Sequence, residues 1–472
     1  MTFYPMLKTT NPNIDRTFRI ALGDIVTNIA LWKDGLLKKE EPCIMAGLDY
    51  ERPWTRDAAI NTWNGVGLLF PQVSRNTLLS TLIEENGLVR IGGQYWDAII
   101  WVLGAWSLYL YTADKEFLSL AFKATENSLK YFEEREFNPK TGLFRGGACY
   151  ADGISAYPDI YAGDGSYSGI LAFPKKNPHL ASGSGYGVPA QALSTNCLYY
   201  QAYSLAYRMA EELGQPAKEN WLLKGRKLKQ SINTSFWNEK KGMYRYLVDD
   251  FGNCEHEEGL GHSLAILFGI SHKTQTEKIF TNQYITRWGI PCLWPSFPRY
   301  IRKGSSDVGR HSGTVWPHIQ GFWAHAAAIH RQREIFTFEL NQLAAMTCRD
   351  GQFRELFHPD TGEPYPGIQE GKYVPLCCER QTWSATAYLR MVLMGLFGMK
   401  FEPKGIQFRP MLPSGFESIQ INNLSYRNAL LHISIRGPGP EVKSFCLNGK
   451  ELDRAFLTSH SRGEQRIEIR MG

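Results

Sequence analysis

The chain has 472 residues, of which 43% are hydrophobic and 13% aromatic, and its formal net charge is +6 at pH 7. This length and apolar content predict a large folded core, leave room for a small second domain and exclude a disordered chain. Lys and Arg are interleaved with Asp and Glu without a basic run, so no nucleic-acid partner is expected.

The sequence has no pattern typical of a membrane protein or an exported protein. Its most apolar stretch, 96–111, includes Asp97 and is shorter than the about 20 residues that a bilayer requires, so a buried helix and no membrane partner are expected. Residues 1–18 lack the features of a signal peptide. The 9 cysteines have no metal-finger spacing. We therefore expect reduced thiols, a cytoplasmic location and no metal or cofactor.

Helical apolar spacing dominates the chain from about residue 17 to residue 400. The clearest segments, in chain order, are 57–70, 73–85, 96–112, 115–136 and 195–213. Residues 99–106 are apolar or small on nearly all sides, whereas 119–136 have one polar face. A buried inner ring of helices within an amphipathic outer ring would explain this difference. This part of the chain is therefore predicted to be all-α.

A turn pattern recurs between the helices, at 137–147, 236–246 and 357–367. Each copy has an aromatic residue, a polar turn with Gly, and then another aromatic residue or Pro, which predicts a tight turn leading into a short strand or loop. A repeat of helical hairpins is implied. The stretch 145–190 is rich in Pro and Gly and includes five tyrosines, so we expect it to form a loop that covers a site: Tyr150, Tyr157, Tyr161, Tyr167 and Tyr186.

The pattern changes after Met399 to short segments with alternating apolar residues and Asn or Gly turns. This predicts a small antiparallel β domain. With a boundary near 400–405, the predicted domains are 1–400, helical, and 401–472, β.

Four carboxylates lie in aromatic or glycine-rich segments beside predicted helix ends, where paired carboxyl groups can act on sugars: Asp57, Asp97, Asp152 and Glu355. Asp152 lies in an uncharged segment between Tyr150 and Tyr157, where desolvation would raise its pKa and suit a general acid. The alternative is an ordinary turn residue in Ala-Asp-Gly. Glu355 follows Arg354, whose charge would keep it ionised as a general base. Its alternative is a surface ion pair.

Asp57 follows Arg56 and Trp54, which together offer hydrogen bonds to sugar hydroxyls and an apolar platform. Alternatively, Asp57 interacts only with a helix dipole, and Asp97 is only a helix N-cap.

Three histidines, His311, His318 and His325, are spaced seven residues apart. This is not the close spacing of a helical metal site. We therefore expect them to be structural or to contact sugar.

Several motifs resemble those of the six-hairpin glycosidases, which include the glycogen-debranching α-1,6-glucosidase domain, the glucoamylases and glycoside hydrolase family 63. Trp54-Thr-Arg-Asp57 resembles the glucoamylase motif that holds the terminal sugar, and Tyr95-Trp-Asp-Ala98, followed by Trp101, is similar to a helix start in the debranching and family 63 enzymes. The segment 354–363 resembles the family 63 region around the general base. The segments 313–317 and 381–385 and the closing β domain are also similar.

The resemblance implies an all-α (α/α)6 toroid with a small C-terminal antiparallel β domain. It also implies inverting, metal-independent hydrolysis, with Asp152 as general acid, by its position in chain order, and Glu355 as general base. The sequence 148–152 departs from the Glu-Ser-Gly-Met-Asp form of family 63, so Asp159 and Asp164 are alternatives for the acid. The residues expected to contact the oligosaccharide or small glycoside are Trp54, Arg56, Asp57, Tyr95, Trp96, Asp97, Tyr157, His311, Trp316 and His318.

The expected activity is that of an exo-acting α-glycosidase, with glucose favoured over mannose and the loop 160–190 narrowing the pocket. Three alternatives stay open. A disaccharide phosphorylase would bind phosphate at 311–314, and a sugar 2-epimerase would use histidines such as His262 and His318. A non-catalytic glycan-binding protein would need only Trp54 and Trp96.

Overall fold

The computed structural model describes residues 4–93, 96–162, 169–216, 220–369, 372–373 and 377–472. Tyr95, Asp164 and Tyr167 lie outside these ranges. The α-helices within them are α1 (Pro12–Thr27), α2 (Thr55–Asn61), α3 (Gly67–Leu69), α4 (Pro71–Ser80), α5 (Trp101–Thr112), α6 (Lys115–Glu136), α7 (Gly169–Lys176), α8 (Leu193–Leu213), α9 (Trp221–Phe236), α10 (Gly259–Leu267), α11 (Lys273–Asn282), α12 (Pro317–Ile329), α13 (Arg333–Asp350) and α14 (Thr382–Arg390). The π-helical segments Thr62–Val66 and Met391–Leu396 join α2 to α3 and extend α14.

Helices form two concentric rings. In the described part of the chain, α2, α5, α8, α10, α12 and α14 contact one another in this order, and α14 returns to α2. Outside them lie α1, α4, α6, α9, α11 and α13. The residues of α5 from Trp101 to Tyr111 are all buried, whereas α6 buries one face. This is the (α/α)6 toroid, with the predicted difference between inner and outer helices.

One predicted helix is shorter than expected. The segment 73–85 was predicted as a single helix, but α4 ends at Ser80 and the strands β4 (Leu82–Glu85) and β5 (Leu88–Ile91) follow. Asn86 and Gly87 connect them with φ values of 52° and 75°. Because Asn-Gly favours a hairpin turn with positive φ, the local turn prevails over the helical spacing.

Short strands connect the helices. The recurring turn leads into a short strand, as predicted, at 137–147 and 236–246, where it forms the β-hairpins β6–β7 and β9–β10. Besides β4 and β5, the strands of this part are β1 (Met6–Thr9), β2 (Ile29–Trp32), β3 (Glu41–Ile44), β6 (Phe137–Asn138), β7 (Leu143–Phe144), β8 (Gln191–Ala192), β9 (Trp237–Asn238), β10 (Met243–Tyr244), β11 (Leu247–Asp249), β12 (Gly252–Cys254), β13 (Glu257–Glu258), β14 (Leu293–Trp294), β15 (Ile368–Gln369) and β16 (Lys372–Tyr373). The described part of 145–190 contains α7 and two short 3-10 segments, Ile154–Ala156 and Asp159–Tyr161, so it is more ordered than the predicted loop.

The C-terminal strands are β17 (Met399–Glu402), β18 (Gly405–Phe408), β19 (Ser418–Tyr426), β20 (Ala429–Arg436), β21 (Val442–Leu447), β22 (Lys450–Leu452), β23 (Phe456–Thr458) and β24 (Gly463–Met471). They form a sheet in the order β1-β19-β20-β24-β21-β22 and a smaller sheet, β17-β18-β23. Two features differ from the expected antiparallel C-terminal unit. β20 pairs with β24 in parallel, and β1 comes from the N-terminus.

All 9 cysteines lie within the described ranges and are free thiols. None of the described helices has both the length and the apolar character needed to cross a bilayer.

Candidate active site

Several of the predicted site residues lie where the inner helices begin. Arg56 and Asp57 are in the first turn of α2, Asp97 precedes the 3-10 segment Ala98–Ile100 that leads into α5, and His318 is in the first turn of α12. Because the N-terminal end of a helix carries partial positive charge, this end of the barrel favours carboxylates.

Arg56 links Asp97 to the loop before α7. Its Nε lies 3.4 Å from Asp97 Oδ2, and its Nη1 donates to the carbonyl oxygen of Cys149 over 2.9 Å. The Asp97 side chain makes no capping hydrogen bond. The alternative that Asp97 is only an N-cap is therefore wrong.

Asp57 and Asp97 are buried acids with raised pKa values. Burial raises the pKa of each to about 7, against the opposing charge of Arg56. Asp57 Oδ1 and both carboxyl oxygens of Asp97 have no hydrogen-bond partner among the described residues. A buried polar atom without a partner costs about 1–3 kcal/mol, and such groups with shifted pKa values are typical of functional sites. Asp57 also lies in the first turn of α2, so the expected helix-dipole interaction is present as well.

Glu355 forms a buried ion pair with an arginine that the sequence analysis did not identify. Its side chain is 5% exposed, and Arg310 Nη2 donates to its Oε2 over 2.6 Å. The predicted cation, Arg354, instead pairs with Asp350 at 2.6 Å and Glu379 at 2.8 Å. The surface ion pair considered for Glu355 is therefore wrong, and so is the assignment of Arg354 as its partner.

The backbone also fixes Glu355. Its N–H donates to the carbonyl oxygen of Cys378 over 3.1 Å, and the Cys378 N–H donates to Glu355 Oε2 over 3.4 Å. The charge of Glu355 contributes to the raised pKa values of Asp57 and Tyr50, after burial as the main cause. Glu355 and Asp57 therefore share one electrostatic environment.

Asp152 lies in a loop held by Tyr157. The Tyr157 hydroxyl accepts from the N–H of Ala148 over 3.0 Å and donates to the carbonyl oxygen of Ala151 over 2.5 Å. The Asp152 side chain is partly exposed, and its charge contributes to the raised pKa values of Asp97 and Tyr157. Asp152 is therefore an electrostatic neighbour of the acids on the inner helices.

Arg299 fixes the far side of this loop. Its Nη2 donates to the carbonyl oxygens of Ile154 and Tyr157, each over 2.7 Å. Its Nη1 pairs with Asp159 at 2.7 Å, and the Asp159 side chain is 73% exposed. Asp159 is thus a solvent-exposed partner of Arg299, which argues against it as a replacement for Asp152.

Aromatic and histidine rings form a buried wall beside the acids. His311 stacks on Trp316 with ring centres 4.6 Å apart, and His318 stacks on Trp383, also at 4.6 Å. Burial lowers the pKa values of both histidines well below the usual range, so the rings are neutral. Their nitrogens have no hydrogen-bond partner in the described part of the chain. These neutral rings can accept hydrogen bonds from hydroxyl groups or donate hydrogen bonds to them without bringing a charge into the site.

The other predicted contact residues have mixed exposure. Trp54 is partly buried, with the Arg52 guanidinium 4.2 Å from its ring centre. Trp96 and Tyr157 are fully buried. A Cβ atom at Gly146 would lie 2.4 Å from Trp96 Cγ. Trp96 therefore packs directly against the backbone of the loop that leads to Asp152.

Three residues of this region are not evident from the sequence alone. Arg310 precedes His311 in a glycine-rich segment, which was its only signal, and Trp383 lies in the segment 381–385 that carried the family resemblance. Glu258 accepts from the N–H of Ser194 over 3.0 Å at the start of α8, and burial raises its pKa to about 8.

His262, considered as a partner of His318 in an epimerase, is engaged within the barrel wall. Its Nδ1 lies 2.6 Å from Gln283 Oε1 and its Nε2 lies 2.8 Å from the carbonyl oxygen of Tyr244. It is therefore not available as a base. Among the described residues, no group of three or more His, Cys, Asp or Glu side chains is arranged to hold a metal ion.

Comparisons with known proteins identify the family and the fold. Residues 100–384 match the family model described as "Mannosylglycerate hydrolase MGH1-like glycoside hydrolase domain". A search of curated proteins finds no match to the chain.

Solved structures share the fold at low sequence identity. A sialidase has a TM-score of 0.65 and 14% identity over 90% of this chain and 37% of its own. The family 63 mannosylglycerate hydrolase from Thermus thermophilus, in complex with glucose, has a TM-score of 0.58 and 14% identity over 80% of this chain and 99% of its own. The family 78 rhamnosidase of a Bacillus species has a TM-score of 0.55 and 12% identity over 99% of this chain and 44% of its own. The chain thus spans less than half of the sialidase and rhamnosidase chains.

Proposed function

Because the chain belongs to the mannosylglycerate hydrolase MGH1-like glycoside hydrolase family, we propose that it removes a terminal α-linked sugar from a short oligosaccharide or small glycoside, with inversion at the anomeric carbon. The observation that carries this proposal is the buried Glu355, fixed by Arg310 at 2.6 Å in the same environment as the sugar-binding candidate Asp57.

The proposed reaction uses two carboxyl groups. Asp152 donates its proton to the glycosidic oxygen as the bond between that oxygen and the anomeric carbon breaks. Glu355 takes a proton from water, whose oxygen bonds to the anomeric carbon from the opposite face. An inverting enzyme needs room for this water, with carboxyl groups about 6.5–9.5 Å apart.

The electrostatics support these roles. The ion pair with Arg310 at 2.6 Å fixes the buried side chain of Glu355 in one position, as the proposed role of general base requires. The charges of Asp152 and Asp57 contribute to the raised pKa of Asp97. The charge of Glu355 contributes to the raised pKa of Asp57. Each proposed catalytic carboxyl group therefore influences one of the two buried acids that are proposed to bind the sugar, Asp152 acting on Asp97 and Glu355 on Asp57.

Asp57 and Asp97 are proposed to hold the hydroxyls of that sugar. With pKa values of about 7, each is able to accept or donate a hydrogen bond near neutral pH. Arg56 holds Asp97 and the Cys149 carbonyl, so it also positions the acid-bearing loop.

The substrate class follows by extension from a relative. The family 63 structure is a mannosylglycerate hydrolase with glucose bound. By analogy, the proposed substrate of this chain is a small α-glycoside with glucose or mannose at its non-reducing end, and glucose is the favoured sugar.

Paired variants test the proposal on a panel of α-linked gluco-, manno- and rhamno-disaccharides. Asp152→Asn and Glu355→Gln are each expected to lower kcat at least about 100-fold, since general acid or base catalysis contributes about 10² to 10⁴ in rate. The exposed acids of the same segments provide the controls Asp159→Asn and Glu363→Gln, which should keep wild-type rates. Unchanged turnover in either catalytic variant would contradict the assignment.

A further inference from the structure

A cavity of about 510 Å³ lies on the barrel axis, away from the acids. Its walls include Trp63, from the π-helical segment that follows α2, together with Ser107, Gln201 and His325, each six to eight residues beyond the first residue of its inner helix. At 1.5 Å per residue, this places them roughly 9–12 Å along the helices from the candidate active site. Phe401, from strand β17, lines the other side.

Arg390 brings a buried positive charge to this end of the barrel. Its Nε donates to Asn64 Oδ1 over 2.6 Å and its Nη1 to His325 Nδ1 over 2.7 Å, while its Nη2 has no hydrogen-bond partner among the described residues. The rings of Trp63 and Phe322 lie 4.1 and 4.3 Å from its Cζ. Burial lowers the pKa of Arg390 to about 9, so it is charged at neutral pH. No described carboxylate pairs with this charge.

Arg390 determines which nitrogen of His325 carries the proton. A guanidinium only donates hydrogen bonds, so Nδ1 of His325 accepts and Nε2 carries the hydrogen. Burial and the charge of Arg390 lower the pKa of His325 well below its usual range, so the ring is neutral. Because His325 lines the cavity, a bound molecule that reaches Nε2 meets a hydrogen-bond donor there and not an acceptor.

The rim of the cavity is also positive. Arg409 lines it, and burial together with the charge of Arg409 lowers the pKa of nearby Arg331. The positive charge of Lys400 is balanced by an ion pair with Glu402 at 2.6 Å. None of the described residues that line the cavity is an Asp or Glu.

We propose that this cavity binds a small molecule carrying an oxyanion, a carboxylate or a phosphate, on an apolar or ring-shaped body. Arg409 on the rim and the donor on His325 are the groups that meet the oxyanion. The buried charge of Arg390, which lies behind the cavity wall against Trp63 and His325, adds to the attraction. Trp63 and Phe268, stacked with ring centres 6.1 Å apart, provide an apolar wall for the body. A neutral sugar is disfavoured because the acids that would accept from its hydroxyls lie at the other end of the barrel.

Titration calorimetry of the full chain with phenyl phosphate, benzoate and benzyl alcohol tests the proposal. At least one of the two anions should bind with 1:1 stoichiometry, and which of them binds identifies phosphate or carboxylate as the preferred group. Benzyl alcohol should bind at least 10-fold more weakly. If neither anion shows saturable binding, or if benzyl alcohol binds as tightly, the proposal is overturned.

Variants locate the binding. Arg409→Gln removes a rim charge, and Ser107→Leu fills the cavity without leaving an unpaired group, since the Ser107 hydroxyl donates only within its own helix, to the Leu103 carbonyl. Both should weaken binding at least 10-fold. The exposed control Arg462→Gln and the active-site variant Glu355→Gln should bind as the wild type does. Loss of binding in Glu355→Gln, or equal binding in Arg409→Gln and Arg462→Gln, would refute the location.

Discussion

Replacing Asp57 with asparagine is expected to stabilise the folded protein at alkaline pH while lowering its activity. Asparagine keeps the shape of the side chain but does not titrate. Burial raises the pKa of Asp57 from 3.8 to about 7, so folding takes up a proton between these values. The stability that this carboxyl contributes is therefore fully present below pH 3.8 and is lost as the pH rises through 7.

The magnitude follows from the size of the pKa difference. At 1.36 kcal/mol per pKa unit, the loss is about 4 kcal/mol at pH 8 and about 2 kcal/mol at pH 5. The free energy of unfolding of Asp57→Asn, measured relative to the wild type, should therefore be about 2–3 kcal/mol larger at pH 8 than at pH 5. Loss of a charged hydrogen bond to the sugar, worth about 1.5–3 kcal/mol, should lower kcat/KM at least about 10-fold.

Urea denaturation at pH 5 and pH 8, with kinetics on the same preparations, measures both effects. Asp453→Asn is the matched control, because Asp453 is an exposed acid in the C-terminal part of the chain. An Asp57→Asn variant whose gain in stability does not depend on pH, or does not exceed that of Asp453→Asn, would refute the argument from burial. Full activity in this variant would remove Asp57 from sugar binding.

Three further substitutions test the framework of the site. Arg310→Met should lower kcat at least about 100-fold by leaving Glu355 buried without its cation, which costs about 3–5 kcal/mol, whereas Arg354→Met should keep a rate near that of the wild type; equal rates in steady-state assays would contradict this. Tyr157→Phe removes the two hydrogen bonds that the Tyr157 hydroxyl makes to the turn before Asp152 and should cost about 1–3 kcal/mol in chemical denaturation, together with a lower kcat at unchanged KM; a wild-type kcat would show that these bonds do not position Asp152. Gly146→Ala should lower Tm, because Gly146 has a φ of 132° and an added Cβ would meet Trp96; an unchanged Tm would contradict the tight packing of the loop.

The sequence predicted the barrel well because its signals are local. An inner helix such as α5 is apolar on all sides and an outer helix such as α6 is amphipathic, so each reveals its layer within its own residues. The helix-start motif around Asp57 is likewise contiguous in the chain. The β4–β5 hairpin also had a local signal, Asn86-Gly87, but helical spacing was given more weight.

Long-range pairings were not predictable in this way. Arg310 meets Glu355 across 45 residues of sequence, so the neighbouring Arg354 was the natural but wrong choice. The pairing of β1 with β19 and the parallel pairing of β20 with β24 are likewise set by packing of distant segments. The raised pKa of Asp57 depends on a depth of burial that a single sequence does not report.

The most direct test of the central claim is proton NMR of the anomeric signal during hydrolysis of the preferred α-linked disaccharide, with and without phosphate. The inverting mechanism of Asp152 and Glu355 predicts that the β-anomer appears first and that phosphate changes nothing. First release of the α-anomer would contradict inversion, and phosphate-dependent release of a sugar phosphate would contradict hydrolysis.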